Sequence, residues 1–354
     1  MRREFLIKCI VLTPFTHNSN IGWIPKHIQG NELEFKVIPA GYHHDRSRVS
    51  SSFEQWFDFI KHALRAWFSI GIGENKANGF ITCFPQLPLI LGCLKRLTFS
   101  KRFILAWTFN LGRTYGGVKG KIAKFGFKAV DKFIVHSRDE IEIYSNWLNI
   151  PASRFEFVPL AVQADSIDDV LVEHQRKSAE GIEPYVLSLG TANRDYSSLV
   201  KAIKKTGYKT IIVAGQSAVS DIQLPANVEL MSGLSLKECH KLALKAVVNV
   251  VPIKDKDAPS GQVTFIEGMM LGRAMIVSNC SGSKDYIESG RDGLLVEVGS
   301  ASDLEKAIKQ FWENKELRVD MGKKAKAKAL QCYRFESVAP TMRRFIFELA
   351  NEKA

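Results

Sequence analysis

Short apolar runs alternate with amphipathic stretches along almost the whole chain, and that alternation leaves few folds open. Runs such as Tyr185-Val-Leu-Ser-Leu and Thr210-Ile-Ile-Val-Ala are too short for a buried helix and apolar at successive positions, as a strand covered on both faces must be. Strands of this kind joined by helices make βαβ units and parallel sheets. In the first half the pattern predicts strands near 5–12, 34–38, 79–84, 102–108, 132–136 and 155–158. The second half gives strands at 185–190, 210–215, 246–251 and 274–278, then the apolar Gly293-Leu-Leu-Val. Helices are expected over 196–206, near 283–289, and from Ser302-Asp-Leu-Glu305, whose Ser and Glu fit a capping box. At 354 residues the chain exceeds one average domain. From 163 to 184 it turns polar, with Asp165, Asp168, Asp169 and Glu173 and no strand-like run, so the linker is expected there, between domains at 1–162 and 185–334.

The charge is uneven. Residues 1–160 hold 22 Lys and Arg against 12 Asp and Glu, whereas 161–354 hold 27 against 25. No acid occurs between Glu74 and Asp131, where Lys76, Lys95, Arg96, Lys101, Arg102, Arg113, Lys119, Lys121, Lys124 and Lys128 alternate with aromatics. Such a mixture suits an anionic membrane surface or a nucleic acid, or is a solvated basic face over an aromatic core. No nucleic-acid-binding motif accompanies it, so nucleic acid is the less expected partner. From 52 to 69, Phe53, Trp56, Phe57, Ile60, Ala63, Leu64, Trp67 and Phe68 recur at helical spacing. Core packing is the expected role of that stripe, with acceptor or membrane contact as the alternative. The six cysteines are scattered singly, without the close pairs of a zinc site or redox dithiol, and suit a reducing compartment. No segment offers eighteen apolar residues without charge, so no membrane span is expected.

The densest motif is Asp257-Ala-Pro-Ser-Gly-Gln-Val-Thr-Phe-Ile-Glu267. Ser260 and Gly261 would open a helix whose unpaired amides, at the positive end of its dipole, receive a diphosphate, with Gln262, Val263 and Thr264 in its first turn. Glu267 follows among Phe265, Ile266, Met269 and Met270. A carboxylate in such company requires hydrogen-bonding partners, either the ribose hydroxyls of a nucleotide or a neighbouring backbone group or Arg273.

This arrangement resembles the donor motif of the retaining GT-B glycosyltransferases of group 1, family 4. In that family two glutamates are separated by seven intervening residues, and Glu267 matches the second. The resemblance implies that Glu267 binds the donor ribose. The first glutamate falls on Pro259, which has neither carboxylate nor N–H, and Asp257 is the nearest acid that could substitute. Leu187-Ser-Leu-Gly-Thr-Ala-Asn-Arg194 resembles the strand and loop that hold the donor diphosphate. There Gly190 admits phosphate, Thr191 stands where a second basic residue is common, and Arg194 neutralises the leaving group. Gly215-Gln216 and Gly233-Leu234 resemble the segments facing the nucleoside. Asp131-Lys-Phe-Ile-Val-His-Ser137 and Phe155-Glu-Phe-Val-Pro159 resemble elements of the family's first domain, but Thr13 to Trp23 lacks the double glycine often found there.

The fold implied is α/β of GT-B type, two Rossmann-like domains with a cleft between them, a helix over 335–352 crossing back to the first. The implied function is transfer of a sugar from a nucleotide-sugar donor to a saccharide or lipid-linked acceptor with retention, in polysaccharide or glycolipid synthesis. Arg194 and Glu267 carry the donor chemistry, and no metal or cofactor is expected. The acceptor side would draw on His17, Gly22 and Asn110, with His43 and His44 as further candidates, and the protein is expected at the cytoplasmic face of a membrane. A non-catalytic binding protein and a sugar-nucleotide epimerase of the same fold are the alternatives.

Overall fold

The computed structural model describes residues 6–13, 23–28, 30–42, 52–71, 73, 76–176 and 183–353. They fall into two compact units, one built from Met1–Pro159 with Phe335–Ala354 and the other from Leu160–Arg334.

The first unit is a six-stranded parallel sheet with strand order β2-β1-β3-β4-β5-β6. Its strands are β1 (Ile7–Thr13), β2 (Leu33–Pro39), β3 (Gly79–Cys83), β4 (Phe103–Trp107), β5 (Lys132–Val135) and β6 (Phe155–Phe157). The connecting helices are α1 (Trp23–His27), α2 (Phe53–Phe68), α3 (Gln86–Leu97), α4 (Gly117–Phe127) and α5 (Asp139–Leu148). Because β2→β3, β3→β4, β4→β5 and β5→β6 all advance the same way across the sheet, right-handed crossovers put α2 to α5 on one face. β3 and β4 are buried throughout, as strands covered on both faces must be. The core is aromatic, with Phe109, Phe127, Phe133, Tyr144 and Phe155 in mutual ring contact.

The second unit repeats the plan: α6 (Asp165–Arg176), β7 (Val186–Leu189), α7 (Tyr196–Thr206), β8 (Thr210–Val213), β9 (Val228–Met231), α8 (Leu236–Lys245), β10 (Val248–Val251), α9 (Gln262–Met270), β11 (Met275–Ser278), β12 (Gly293–Val296), α10 (Ala301–Glu313) and α11 (Lys315–Cys332). Its strand order is β12-β11-β10-β7-β8-β9, all parallel. Helix α12 (Phe335–Lys353) belongs to the first unit, where Arg343 pairs with Glu32 (3.1 Å) and Lys353 with Asp131 (3.0 Å).

Four expectations are corrected. Helix α10 is capped by Ser300, whose Oγ accepts from Asp303 N (3.1 Å), so Ser302 lies inside the helix and the capping box read there does not form. The polar stretch read as a linker carries α6, which buries Ile167 and Val170 and pairs Glu173 with Lys241 of α8 (2.9 Å), so much of it is packed structure. Residues 281–286 form successive turns and 287–289 run on without a helix, because the Ser283 hydroxyl donates to the carbonyls of Ser278 (2.7 Å) and Cys280 (3.1 Å) and competes with helical bonding. On α2 the core receives Phe59, Ala63 and Ala66, while Phe53, Phe57, Ile60 and Phe68 are exposed. The stripe is therefore two faces, and only one is core. The six cysteines are free, and among the described residues no helix is long and apolar enough to cross a membrane.

Candidate nucleotide site

In the second sheet, β7 lies between β8 and β10, and the chain leaves it first toward one side and later reaches the other. In doubly wound sheets the ligand crevice lies outside the carboxyl ends of the strands at such a reversal. Here those ends are Gly190-Thr191 after β7 and Pro252-Ile253 after β10.

Gly190 holds φ +108°, a conformation closed to other residues at low cost, and a Cβ there would lie 2.6 Å from Arg194 Nη2. Gly261, the residue before α9, holds φ +79°, and its Cβ would meet Val251 and Ile253 side chains at 2.8 Å and Arg194 Nη1 at 3.6 Å. Gly190 thus presses against the guanidinium, and Gly261 borders it at ordinary contact distance. Arg194 is fixed by donating from Nε to Leu189 O (3.0 Å), from Nη1 to Ala192 O (2.8 Å) and from Nη2 to Thr264 Oγ1 (3.0 Å). Burial lowers its pKa from the ordinary value, yet a guanidinium stays charged at neutral pH. Tyr196 OH donates to the Gly190 carbonyl, and Thr191 Oγ1 accepts from Gly215 N (3.0 Å), tying the ends of β7 and β8 together.

The first intrahelical bond of α9 runs from Phe265 N to Gly261 O (3.1 Å), so the amides of Gln262, Val263 and Thr264 precede the hydrogen-bonded ladder. The helix start, its positive dipole end and Arg194 therefore share one locus, suited to an anion of more than one charge.

Glu267 is the sixth residue of α9, its side chain 13% exposed. Its partner is neither Arg273, which donates to the Ala246 carbonyl, nor backbone, but His240 of α8. Glu267 Oε2 and His240 Nε2 are 3.2 Å apart, close enough to pair but out of hydrogen-bond alignment. The His240 side chain is 2% exposed, and Nδ1 faces Ser166 Oγ at 3.4 Å.

Gly215 and Gln216 follow β8, and Gly233 and Leu234 follow β9, so the residues selected from sequence lie along one edge of the sheet. Pro259 is buried against the loop after β11, where a Cβ on Gly282 would lie 2.7 Å from Pro259 Cα. Asp257 is exposed, its N–H donating to Asp255 Oδ1 (3.0 Å). In the first unit, Asn110 Oδ1 accepts from Gly112 N (2.7 Å), closing the turn after β4. His17, Gly22, His43 and His44 lie outside the described residues. Among the described residues no group of three or more His, Cys, Asp or Glu is placed to hold a metal ion.

His240 was not singled out in the sequence. The capping box Ser235-x-x-Glu238 does announce α8, with Ser235 Oγ accepting from Glu238 N (3.3 Å), but a histidine on its buried face carries no mark of its contact with α9. The Arg194 to Thr264 bond, across 70 residues, is likewise invisible to local pattern.

Two doubly wound parallel units, one with a helix start and a buried arginine at its strand reversal, define the GT-B class of α/β fold. Residues 173–328, within the second unit, match the model for glycosyl transferases, group 1. A 69-residue stretch is 35% identical to the N,N'-diacetylbacillosaminyl-diphospho-undecaprenol alpha-1,3-N-acetylgalactosaminyltransferase of Campylobacter jejuni; the match spans 20% of this chain and 18% of that protein. Among solved structures, a glycosyltransferase from Rickettsia africae superposes with TM-score 0.69 at 13% identity, covering 98% of both chains. Anabaena HepE in complex with UDP gives TM-score 0.70 at 11% identity, covering 97% of this chain and 100% of that one. Sucrose-phosphate synthase from Thermosynechococcus elongatus gives 0.70 at 17%, covering 98% and 100%. At these identities the structural likeness establishes the fold.

Proposed function

We propose that the protein is a retaining, metal-independent hexosyltransferase of the EC 2.4 type, moving a sugar from a nucleoside diphosphate to a saccharide or lipid-linked acceptor in polysaccharide or glycolipid synthesis. The observation that carries this reading is the convergence of Gly190, Arg194 and the amino end of α9 at the strand reversal of the second unit. As the bond from the anomeric carbon to phosphate oxygen breaks, charge grows on the departing diphosphate, where Arg194 and the helix amides oppose it. The acceptor hydroxyl forms the new bond and its proton passes to the departing phosphate, so no separate base is required. Glu267, held against His240, takes the donor ribose hydroxyls. Gly215, Gln216, Gly233 and Leu234 border the nucleoside. UDP is the first nucleotide to test, since HepE was crystallised with it. The lipid-linked acceptor and a place at the cytoplasmic face of the membrane draw support from the Campylobacter enzyme's name and from the charge excess of the first half.

One observation favours a second reading, nucleotide binding without transfer: buried Pro259 puts no polar side chain where the resembled family has its first glutamate. Thermal melting against UDP, ADP and GDP, with sugar release from the matching nucleotide sugars assayed in parallel, separates the two. A nucleotide at a hundred times its Kd stabilises by about 2.7 kcal/mol, and Glu267→Ala should lose much of that shift. A shift with sugar release supports transfer, and a shift without release supports the binding protein. No shift for any nucleotide sinks both.

A further inference from the structure

The outer faces of α2, α3 and α4 carry apolar side chains that the fold does not use. On α2, Phe53 (90% exposed), Phe57, Ile60 and Phe68 follow one another at helical spacing on the solvent side. On α4, Val118, Ile122 and Phe125 do the same. Leu97 and Phe99 project from the end of α3, which packs between them. Helices α3 and α4 touch backbone to backbone, because a Cβ on Gly92 would lie 2.1 Å from Gly126 O.

Phe99 marks the surface most clearly. It occupies the left-handed position that closes α3, φ +52°, with its N–H on Arg96 O (3.4 Å) and Ser100 N on Lys95 O (3.0 Å). Glycine is usual in this helix-ending motif, since a bulky residue there is strained. Phenylalanine nevertheless stands there with its side chain 91% exposed, so nothing in the fold compensates the strain.

Cations surround these residues. Residues 76–130 contain ten Lys and Arg and no acid. Lys101, Lys119 and Lys121 are exposed, and Arg96 lies over the Phe125 ring (4.5 Å). A second copy of this chain is a poor occupant, since a two-fold interface would set one cationic face against its equal. Nucleic acid is the poorer fit, because aliphatic Ile60, Leu97, Val118 and Ile122 interrupt the rings and no nucleic-acid-binding motif accompanies them. Apolar side chains that enter an interfacial layer, ringed by cations that meet anionic headgroups, are what a bilayer surface rewards.

We propose that the α2–α3–α4 face of the first unit docks on anionic lipid bilayers, with Phe99 and the outer stripe of α2 entering the headgroup boundary. The inference specifies the membrane contact of the proposed glycosyltransferase, and its test does not require that activity. Purified full-length protein is sedimented with phosphatidylcholine vesicles with and without phosphatidylglycerol, and its nucleotide melting shift is recorded in solution. Wild type should bind the anionic vesicles well above the neutral ones. Phe99→Gly should weaken binding about tenfold, the scale of one aromatic ring returned to water, while raising the melting temperature by on the order of 2 °C. Lys101→Glu/Lys119→Glu/Lys121→Glu should weaken it by about a hundredfold in the partition coefficient. Two of its substitutions lie near the amino end of α4, where a carboxylate suits the helix, so the fold should persist. Equal binding to both vesicle types, wild-type binding by either variant, or binding of RNA in place of vesicles overturns the proposal. Lost vesicle binding with a retained nucleotide shift supports it. A missing shift with intact vesicle binding removes the transferase reading and leaves the docking surface standing.

Discussion

Gly190→Ala tests the site most directly, and Gly207→Ala supplies its control. Both glycines have positive φ, +108° and +71°, in the same unit. Gly207 has nothing within 4 Å of an added Cβ, so its substitution exposes only the backbone penalty, about 1 kcal/mol. At Gly190 the methyl group would lie 2.6 Å from Arg194 Nη2 and 3.0 Å from Cζ, and the guanidinium must move. Moving it breaks bonds to Leu189 O and Thr264 Oγ1, each worth about 1.5 kcal/mol for a charged donor. The expected loss is about 3–5 kcal/mol, against about 1 for the control. For a unit of this size 1 kcal/mol moves the melting point by about 2–4 °C, so the variants should fall by roughly 6–20 °C and 2–4 °C. Calorimetry with and without UDP measures both terms. The nucleotide shift should survive in Gly207→Ala and vanish in Gly190→Ala. Equal destabilisation, or a Gly190→Ala protein that keeps the full shift, would refute the placement of Arg194 as diphosphate partner.

Further outcomes are expected. His240→Ala should weaken nucleotide binding as Glu267→Ala does, and the double variant should be no worse than the worse single; additive losses would show that His240 does not act through Glu267. Gly92→Ala should destabilise the first unit by about 2 kcal/mol or more, read by urea unfolding, because the α3–α4 backbone contact has no room for a methyl. His136 is buried, and burial lowers its pKa to about 4 although Val158 O accepts from Nδ1 at 2.7 Å. The unfolded imidazole takes up a proton below about pH 6.5 and the folded one does not until about pH 4, so stability present above that window is lost as pH falls through it, by about 3 kcal/mol in all. His62 is shifted in the same direction by burial. His136→Gln should flatten the stability curve between those pH values, and an unchanged slope would place the acid sensitivity elsewhere.

Most of the strand order of elements could be read from sequence because both faces of each sheet are covered, which writes β3, β4, β8, β10 and β11 as continuous apolar runs. Strand β9 escaped notice, since Val228-Glu-Leu-Met sits at an edge, where only Val228 is buried and no such run is required. The helix α6 is hidden by its charged outer face, whereas α2 is legible as a helix and its aromatics on both sides conceal only which face is core. In the site, the backbone-determined features were legible: glycines where the chain turns after a strand, and a helix start where amides gather. What depended on folding was not. Neither Arg194 reaching Thr264 nor His240 meeting Glu267 follows from spacing, because each joins elements that only the sheet brings together.

Helix α12 has a consequence for how the protein is made and divided. It packs on the first unit, with Arg343 on Glu32 and Lys353 on Asp131, although 175 residues of the other unit, Leu160–Arg334, intervene. The second unit is one unbroken length of chain and can be excised as such. The first is not, so its sheet must wait during synthesis, with that side uncovered, until translation has passed Lys353. The half that begins first is completed last, and a chain halted just after Arg334 leaves a finished second unit tethered to an unfinished partner.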